Sequence, residues 1–261
     1  MSTDSTKRTI IVALGVCLVC SVLVSTATVI LRPVQEINKK LDKLKNILLA
    51  AGLYNEGTDI EKIFNQKIQT DVIDLSTGNS YKSENPLLKP ENFDIKSVSD
   101  SKELGRLIES GKDIAQIKKM PKYMVIYKVY ENNELQKIIL PVYGKGLWST
   151  MYGFLAVDKD FSTIKGFTFY EHGETPGLGG EIENPKWQQL WVDKKAYDEN
   201  RNVIIEVIKG KVDPASADAN HKIDGLSGAT ITTGGVDKLV KFWLGSEGYG
   251  PFINKMIQGG K

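Results

Sequence analysis

Cysteine is almost absent from this sequence: its 261 residues hold two, Cys17 and Cys20, both inside one apolar run near the N-terminus. The remainder of the chain therefore has no disulfide, no Cys-ligated zinc and no iron–sulfur cluster. Histidine is nearly as scarce, with His172 and His221 far apart, which argues against a multi-histidine metal or haem site. No charge of one sign prevails either: Lys+Arg 34 against Asp+Glu 32 leaves a net +2, and nucleic acid is not an expected partner. The composition is 41% apolar and 25% charged, which excludes a disordered or collagen-like chain and leaves room for one large domain or two small ones. Demanding chemistry would need a borrowed cofactor.

One long hydrophobic run is present. Thr9 to Leu31 carries no charge and as a helix spans roughly 34 Å, against about 30 Å of bilayer hydrocarbon. It reads as a retained anchor. A cleaved secretory signal is the rival, because Ser25-Thr26-Ala27 offers small residues, but signal cores are shorter, about 7–15 residues. Leu14-Gly15-Val16-Cys17 departs from a lipoprotein box at Val16, and Cys17 and Cys20 read as small apolar residues facing lipid or another helix. Lys7 and Arg8 flank one end, whereas Arg32, Lys39, Lys40, Lys43 and Lys45 follow the other; that bias favours a cytoplasmic domain, though long trailing domains obey the rule weakly.

Five regions follow: a tail 1–8, the transmembrane helix 9–31, an amphipathic helix and connector 32–56, an α/β region with a polar insertion 57–122, and a main domain 123–261. After Arg32-Pro33 the spacing of Val34, Ile37, Leu41, Leu44, Leu48 and Ala51 predicts a helix stopped by Gly52. Thr58-Asp59-Ile60-Glu61 predicts a capping box opening a helix through Phe64, and Val72 to Leu75 a strand entering a turn. Residues 82–120 are polar, with one helical patch at Leu104, Leu107 and Ile108, and are expected to be an insertion rather than core. Tyr123–Tyr130 with Leu135–Leu140, and Gly153–Val157 with Ile164–Tyr170, read as two β-hairpins, and Val203–Ile208 as another strand. Helices are expected from Asn184-Pro185 through Trp191 and from Val236 to Trp243. The predicted class is α+β, an antiparallel sheet with flanking helices, preceded by one transmembrane helix.

Three glycine-rich loops separate these elements. Tyr143-Gly-Lys-Gly-Leu-Trp148 offers close backbone approach and a stacking ring; equally, it is a turn with a core tryptophan. Glu171-His-Gly-Glu-Thr-Pro-Gly-Leu-Gly-Gly-Glu181 is expected to expose a row of backbone N–H groups, with Glu174 a capping or solvated carboxylate and His172 an isolated ligand or base. Neither a P-loop nor a Rossmann fingerprint is present. Asp224-Gly-Leu-Ser-Gly-Ala-Thr230-Ile-Thr-Thr-Gly-Gly235 opens a helix, where free N–H groups and the helix dipole favour a phosphate. The bland alternative is a helix capped by Thr232 or Thr233. A nucleophile elbow is excluded, because Ala229 stands where that motif needs glycine.

Asp-Gly-Leu-Ser-Gly-Ala-Thr, residues 224–230, resembles the flavinylation motif in which the threonine carries FMN through a phosphoester. With the Gly-Leu-Trp loop, the Gly-Glu-Thr-Pro-Gly-Leu-Gly loop, the membrane span and the terminal Phe-Trp-Leu-Gly and Gly-Pro-Phe, it occurs in the order seen in a family of FMN-binding membrane proteins. That family includes the C subunits of Na⁺-translocating NADH:quinone reductases and, as near neighbours, the G subunits of Rnf electron-transport complexes. The resemblance implies covalent FMN on Thr230, attached by a separate flavin transferase. It implies that Ser227, Gly228, Ala229, Thr232 and Thr233 surround the phosphate, and that Trp148, Glu174, Thr175, Leu178 and Gly179 line the isoalloxazine. It further implies a one-electron carrier in an inner-membrane complex with other subunits, coupling NADH oxidation by ubiquinone to sodium export. No catalytic acid, base or metal is implied in this chain, and the domain is placed on the periplasmic face, against the local charge bias. Two other readings stay open, a cofactor-free structural or assembly component and a secreted binding domain. Flavin colour discriminates the first, and an N-terminus beginning at Thr28 the second.

Overall fold

The computed structural model describes residues 6–259, so most of the expected tail and the last two residues of the chain lie outside the described residues. α1, Thr6–Ala51, is one helix of 46 residues, roughly 69 Å long, and it runs through Arg32-Pro33 without a break. The expected transmembrane and amphipathic helices are thus a single element. Pro33 lacks the N–H that would bond the carbonyl one turn earlier, yet the hydrogen bonds on either side carry the helix past it. Apolar side chains from Ile10 to Leu31 point outward on every side, as lipid requires. The chain divides into two compact units, Met1–Lys43 and Leu44–Lys261.

Within the second unit, the end of α1 buries Ile47, Leu48, Ala50 and Ala51, and Gly52, in the left-handed conformation at φ 70°, follows it. α2, Ile60–Lys67, is capped by Asp59, whose side chain accepts from the N–H of Lys62. The cap is one residue later than the expected capping box, because the Thr58 hydroxyl accepts instead from the N–H of Asn55. β1, Ile68–Asp74, follows directly. It edges a five-stranded antiparallel sheet in the order β1-β4-β5-β6-β7, with β4 Tyr123–Glu131, β5 Glu134–Lys145, β6 Thr150–Asp158 and β7 Ile164–Glu171. Both predicted hairpins are present in this sheet. β5 and β6 are buried along continuous stretches rather than at alternate residues, so both faces of the sheet are covered.

Residues 82–120 correct the sequence reading. They form α3, Ile95–Asp100, and a small ribbon of β2, Gly105–Leu107, with β3, Lys119–Pro121. Leu88, Phe93, Ile95, Val98, Leu104 and Met120 are buried in the main core, and the expected helical patch at Leu104–Ile108 is strand and turn. The expected strand Val203–Ile208 shrinks to β8, Glu206–Val207, which pairs in parallel with β9, Lys222–Ile223, outside the main sheet. α4, Pro185–Gln189, starts at its Asn184 cap as predicted, with Trp187 and Trp191 buried. α5, Thr230–Leu244, lies against β5: the indole N–H of Trp243 donates to the Tyr143 carbonyl at 2.7 Å. α6, Gly250–Gly259, closes the described chain, and just before it the Tyr249 hydroxyl donates to the Pro141 carbonyl at 2.6 Å.

Candidate functional site

The three glycine-rich loops meet at the start of α5, and a buried carboxylate joins them. Glu174 is 5% exposed. Its Oε1 accepts from the backbone N–H groups of Trp148 at 2.9 Å and Ser149 at 3.2 Å, and its Oε2 from that of Leu147 at 3.1 Å. The Thr232 hydroxyl donates to the same Oε2 at 2.6 Å. Glu174 is therefore neither solvated nor a helix cap. Burial alone would raise its carboxyl pKa; the hydroxyl of Thr232 and the three N–H donors outweigh that and hold it below the usual carboxylate value. Close approach demands glycine here: a Cβ on Gly179 would lie 2.5 Å from the Thr232 hydroxyl, and one on Gly235 would lie 2.4 Å from the Lys145 carbonyl.

The second loop does not expose the expected row of donors. The N–H of Gly173 donates to the Ser149 hydroxyl, that of Glu174 to Nδ1 of His172, and those of Leu178 and Gly180 to the Thr175 carbonyl. Internal turns consume them. His172 Nε2 lies 3.0 Å from the Glu183 carboxylate without hydrogen-bond geometry. What this loop presents outward is Leu178, 45% exposed, against Gly228. Trp148 is 67% exposed, which removes the reading of a core tryptophan. Leu147 and Ile231 are exposed as well. Such apolar surface, held by rigid loops, suits the face of a planar heterocycle.

The third loop ends at Thr230, the first residue of α5. The helix has no side-chain cap, because Thr232 is turned to Glu174 and the Thr233 hydroxyl donates to the carbonyls of Ala229 and Thr230. Its first N–H groups and the positive end of its dipole are left facing outward. The Thr230 hydroxyl is exposed and makes no hydrogen bond among the described residues, and Ser227 and Gly228 beside it are exposed too. Thr230 lines a groove of about 260 Å³ with Gln116, Lys145, Gly146, Gly234 and Lys238 among its walls. Sequence reasoning missed both lysines. Lys145 stands inside the first glycine-rich loop, and Thr230, Gly234 and Lys238 recur every four residues on one helical stripe, a signal that could have found them. Gln116 had no such signal.

The arrangement suits an anion esterified to Thr230 and an apolar ring system beyond it. The FMN-binding domain family matches residues 146–245, the stretch from the first glycine-rich loop to the end of α5. The C subunit of the Na(+)-translocating NADH-quinone reductase of Pseudomonas aeruginosa is 45% identical over 259 residues, covering 98% of each chain. That of Vibrio alginolyticus is 42% identical, covering 98% of this chain and 97% of the relative. Among solved structures, Shewanella oneidensis NqrC superposes with a TM-score of 0.77 at 34% identity, over 85% of this chain and 99% of that one. An apolar anchor helix, a two-hairpin sheet, three converging loops and this full-length identity place the chain in the NqrC family, the C subunits of the Na⁺-translocating NADH-quinone reductases, an oxidoreductase complex.

Proposed function

We propose that the protein is a membrane-anchored electron carrier in which FMN is held by a phosphoester to Thr230, serving a complex that couples NADH oxidation by ubiquinone to sodium export. The observation that carries the reading is an exposed threonine hydroxyl, without a hydrogen bond among the described residues, at the uncapped start of a 15-residue helix, in a groove with two lysines. When bound, FMN supplies one-electron carriage, and the ester tether prevents its loss by dilution. The rest is done by the chain. The α5 N–H groups, Lys145 and Lys238 offset the phosphate charge, and Ser227, Gly228 and Ala229 leave it room. Trp148 and Leu178 offer the ring its apolar faces. Glu174, with Thr175 and Gly179 shaping its loop, holds Trp148 in place, while Thr232 ties the first turn of α5 to Glu174 and Thr233 bonds back to the Ala229 carbonyl at the head of the helix.

Partners are the other subunits of the complex, a flavin transferase for maturation, and lipid around α1. The domain lies on the periplasmic side. Intact mass, with tandem mass spectrometry of the Thr230 peptide, tests the reading on protein made together with a flavin transferase. FMN mapped to Thr230 is the expected result. An unmodified Thr230, under conditions that flavinylate a control protein, would return the chain to the cofactor-free structural reading.

A further inference from the structure

A larger recess than the Thr230 groove lies beside it, about 600 Å³, and its rim carries four lysines, Lys96, Lys118, Lys119 and Lys145. Gln116 and Lys145 line both, so recess and groove are neighbours across one wall. Acidic side chains neutralise only half of this charge: Lys96 pairs with Glu171 at 2.6 Å and Lys119 with Asp100 at 3.0 Å. The ammonium groups of Lys118 and Lys145 have no carboxylate partner among the described residues, and that of Lys145 donates to the Trp148 carbonyl at 3.3 Å. For a chain whose net charge is +2, this is a local concentration, not a general property of the surface.

The wall between recess and groove is built to hold its form. Gln116 and Lys118 adopt left-handed backbone at φ 55° and 62°, a conformation that non-glycine residues keep only when their surroundings impose it. Here the Asp113 carboxylate imposes it, accepting from the N–H of Ile117 at 2.9 Å and of Lys118 at 2.8 Å. The N–H of Lys145 donates to the Ala115 carbonyl at 2.9 Å and pins the wall to β5. The recess offers charge without a stacking face: Tyr143 and Tyr152 pack parallel to each other, and both rings are buried. Half-exposed ammonium groups around an open recess of mixed polar and apolar lining suit a polypeptide that brings carboxylates to the rim.

We infer that this basic recess is the docking surface for an acidic segment of another protein of the complex, seated next to Thr230. The docking needs only the charges; its use in electron transfer rests on the flavin reading above. Rim charges of this kind steer encounter and orient the partner, so docking here would bring a redox partner to the groove edge in a fixed register. The occupant is one that presents Asp or Glu residues to Lys118 and the neighbouring Lys119, Lys145 being left to the phosphate.

The test uses the assembled complex in membranes, treated with a water-soluble carbodiimide, which joins a lysine to a carboxylate only where the two are paired. Cross-links from Lys118 or Lys119 to Asp or Glu of another polypeptide of the complex are expected, and they should disappear in about 1 M salt, where screening acts within about 3 Å. In a Lys118→Glu complex, electron transfer from NADH to quinone at low ionic strength should fall roughly three- to tenfold, with FMN occupancy by mass unchanged. Cross-links confined to this chain would overturn the inference. So would wild-type turnover of the Lys118→Glu complex at low salt, or protection of the recess lysines by anionic phospholipid vesicles in place of a protein partner. Unmodified Thr230 would defeat the flavin reading alone, since the cross-links report docking whether or not flavin is present.

Discussion

At Thr230 the side chain is exposed and makes no hydrogen bond among the described residues, so replacing it should cost chemistry and not stability. Thr230→Val keeps the β-branched shape at the first helical position and should shift stability by no more than about 0.5 kcal/mol, while abolishing covalent FMN in the intact mass. Glu174 is the opposite case. A glutamine there turns an amide donor toward backbone donors, and Glu174→Gln should lose about 2–3 kcal/mol, read from urea denaturation. The pH dependence has a fixed sign. Because the folded protein holds this carboxyl below its ordinary value, its stabilisation is complete above the unfolded pKa of about 4.3 and is lost as pH falls through the folded value. The gap between wild type and Glu174→Gln should therefore be full at neutral pH and close on acidification below about pH 4. The sequence showed that Glu174 sits in a glycine-rich loop, but its partners, Trp148 and Thr232, are too distant along the chain for any local pattern to disclose.

Secondary structure was legible where its signals are local. The hairpins followed from alternating strands and the Glu-Asn-Asn-Glu and Asp-Lys-Asp turns, α4 from its Asn-Pro start and α5 from the spacing of Val236, Leu239, Val240 and Trp243. Residues 82–120 were not. Leu88, Phe93, Ile95, Val98, Leu104 and Met120 are buried from short turns, a six-residue helix and a three-residue ribbon, and no period develops over such lengths. That burial is measurable. Met120 is fully buried, and Met120→Ala should cost about 2–5 kcal/mol, lowering the urea midpoint, where a true surface insertion would show almost nothing. The threonines at the head of α5 teach the same lesson. Their pattern reads as caps, but Thr232 and Thr233 lie inside the first turn and donate elsewhere, because Thr230 already begins the helix.

For the whole molecule the question is on which side of the membrane the domain sits. Basic residues after the span argue for a cytoplasmic domain and the function proposed above for a periplasmic one, and a long trailing domain is the circumstance in which the charge rule has least weight. Beyond residue 20 there is no native cysteine, so Ala215→Cys at an exposed position supplies a unique reporter in the domain. A membrane-impermeant maleimide should label it in intact spheroplasts if the domain is periplasmic, and only after lysis if it is cytoplasmic.

By itself, the sequence determined the membrane-length apolar run, the antiparallel α+β class, the order of the three glycine-rich loops and the threonine at the head of a helix. Those properties depend on spacing and turn chemistry within a few residues. Only the tertiary structure decided that Glu174 binds all three loops together, that Trp148 faces outward, that residues 82–120 complete the core, and that Gln116, Lys145 and Lys238 share a groove with Thr230. The reason is separation: Glu174 and Thr232 are 58 positions apart, and what a buried carboxylate meets at that distance is set by packing, not by local preference.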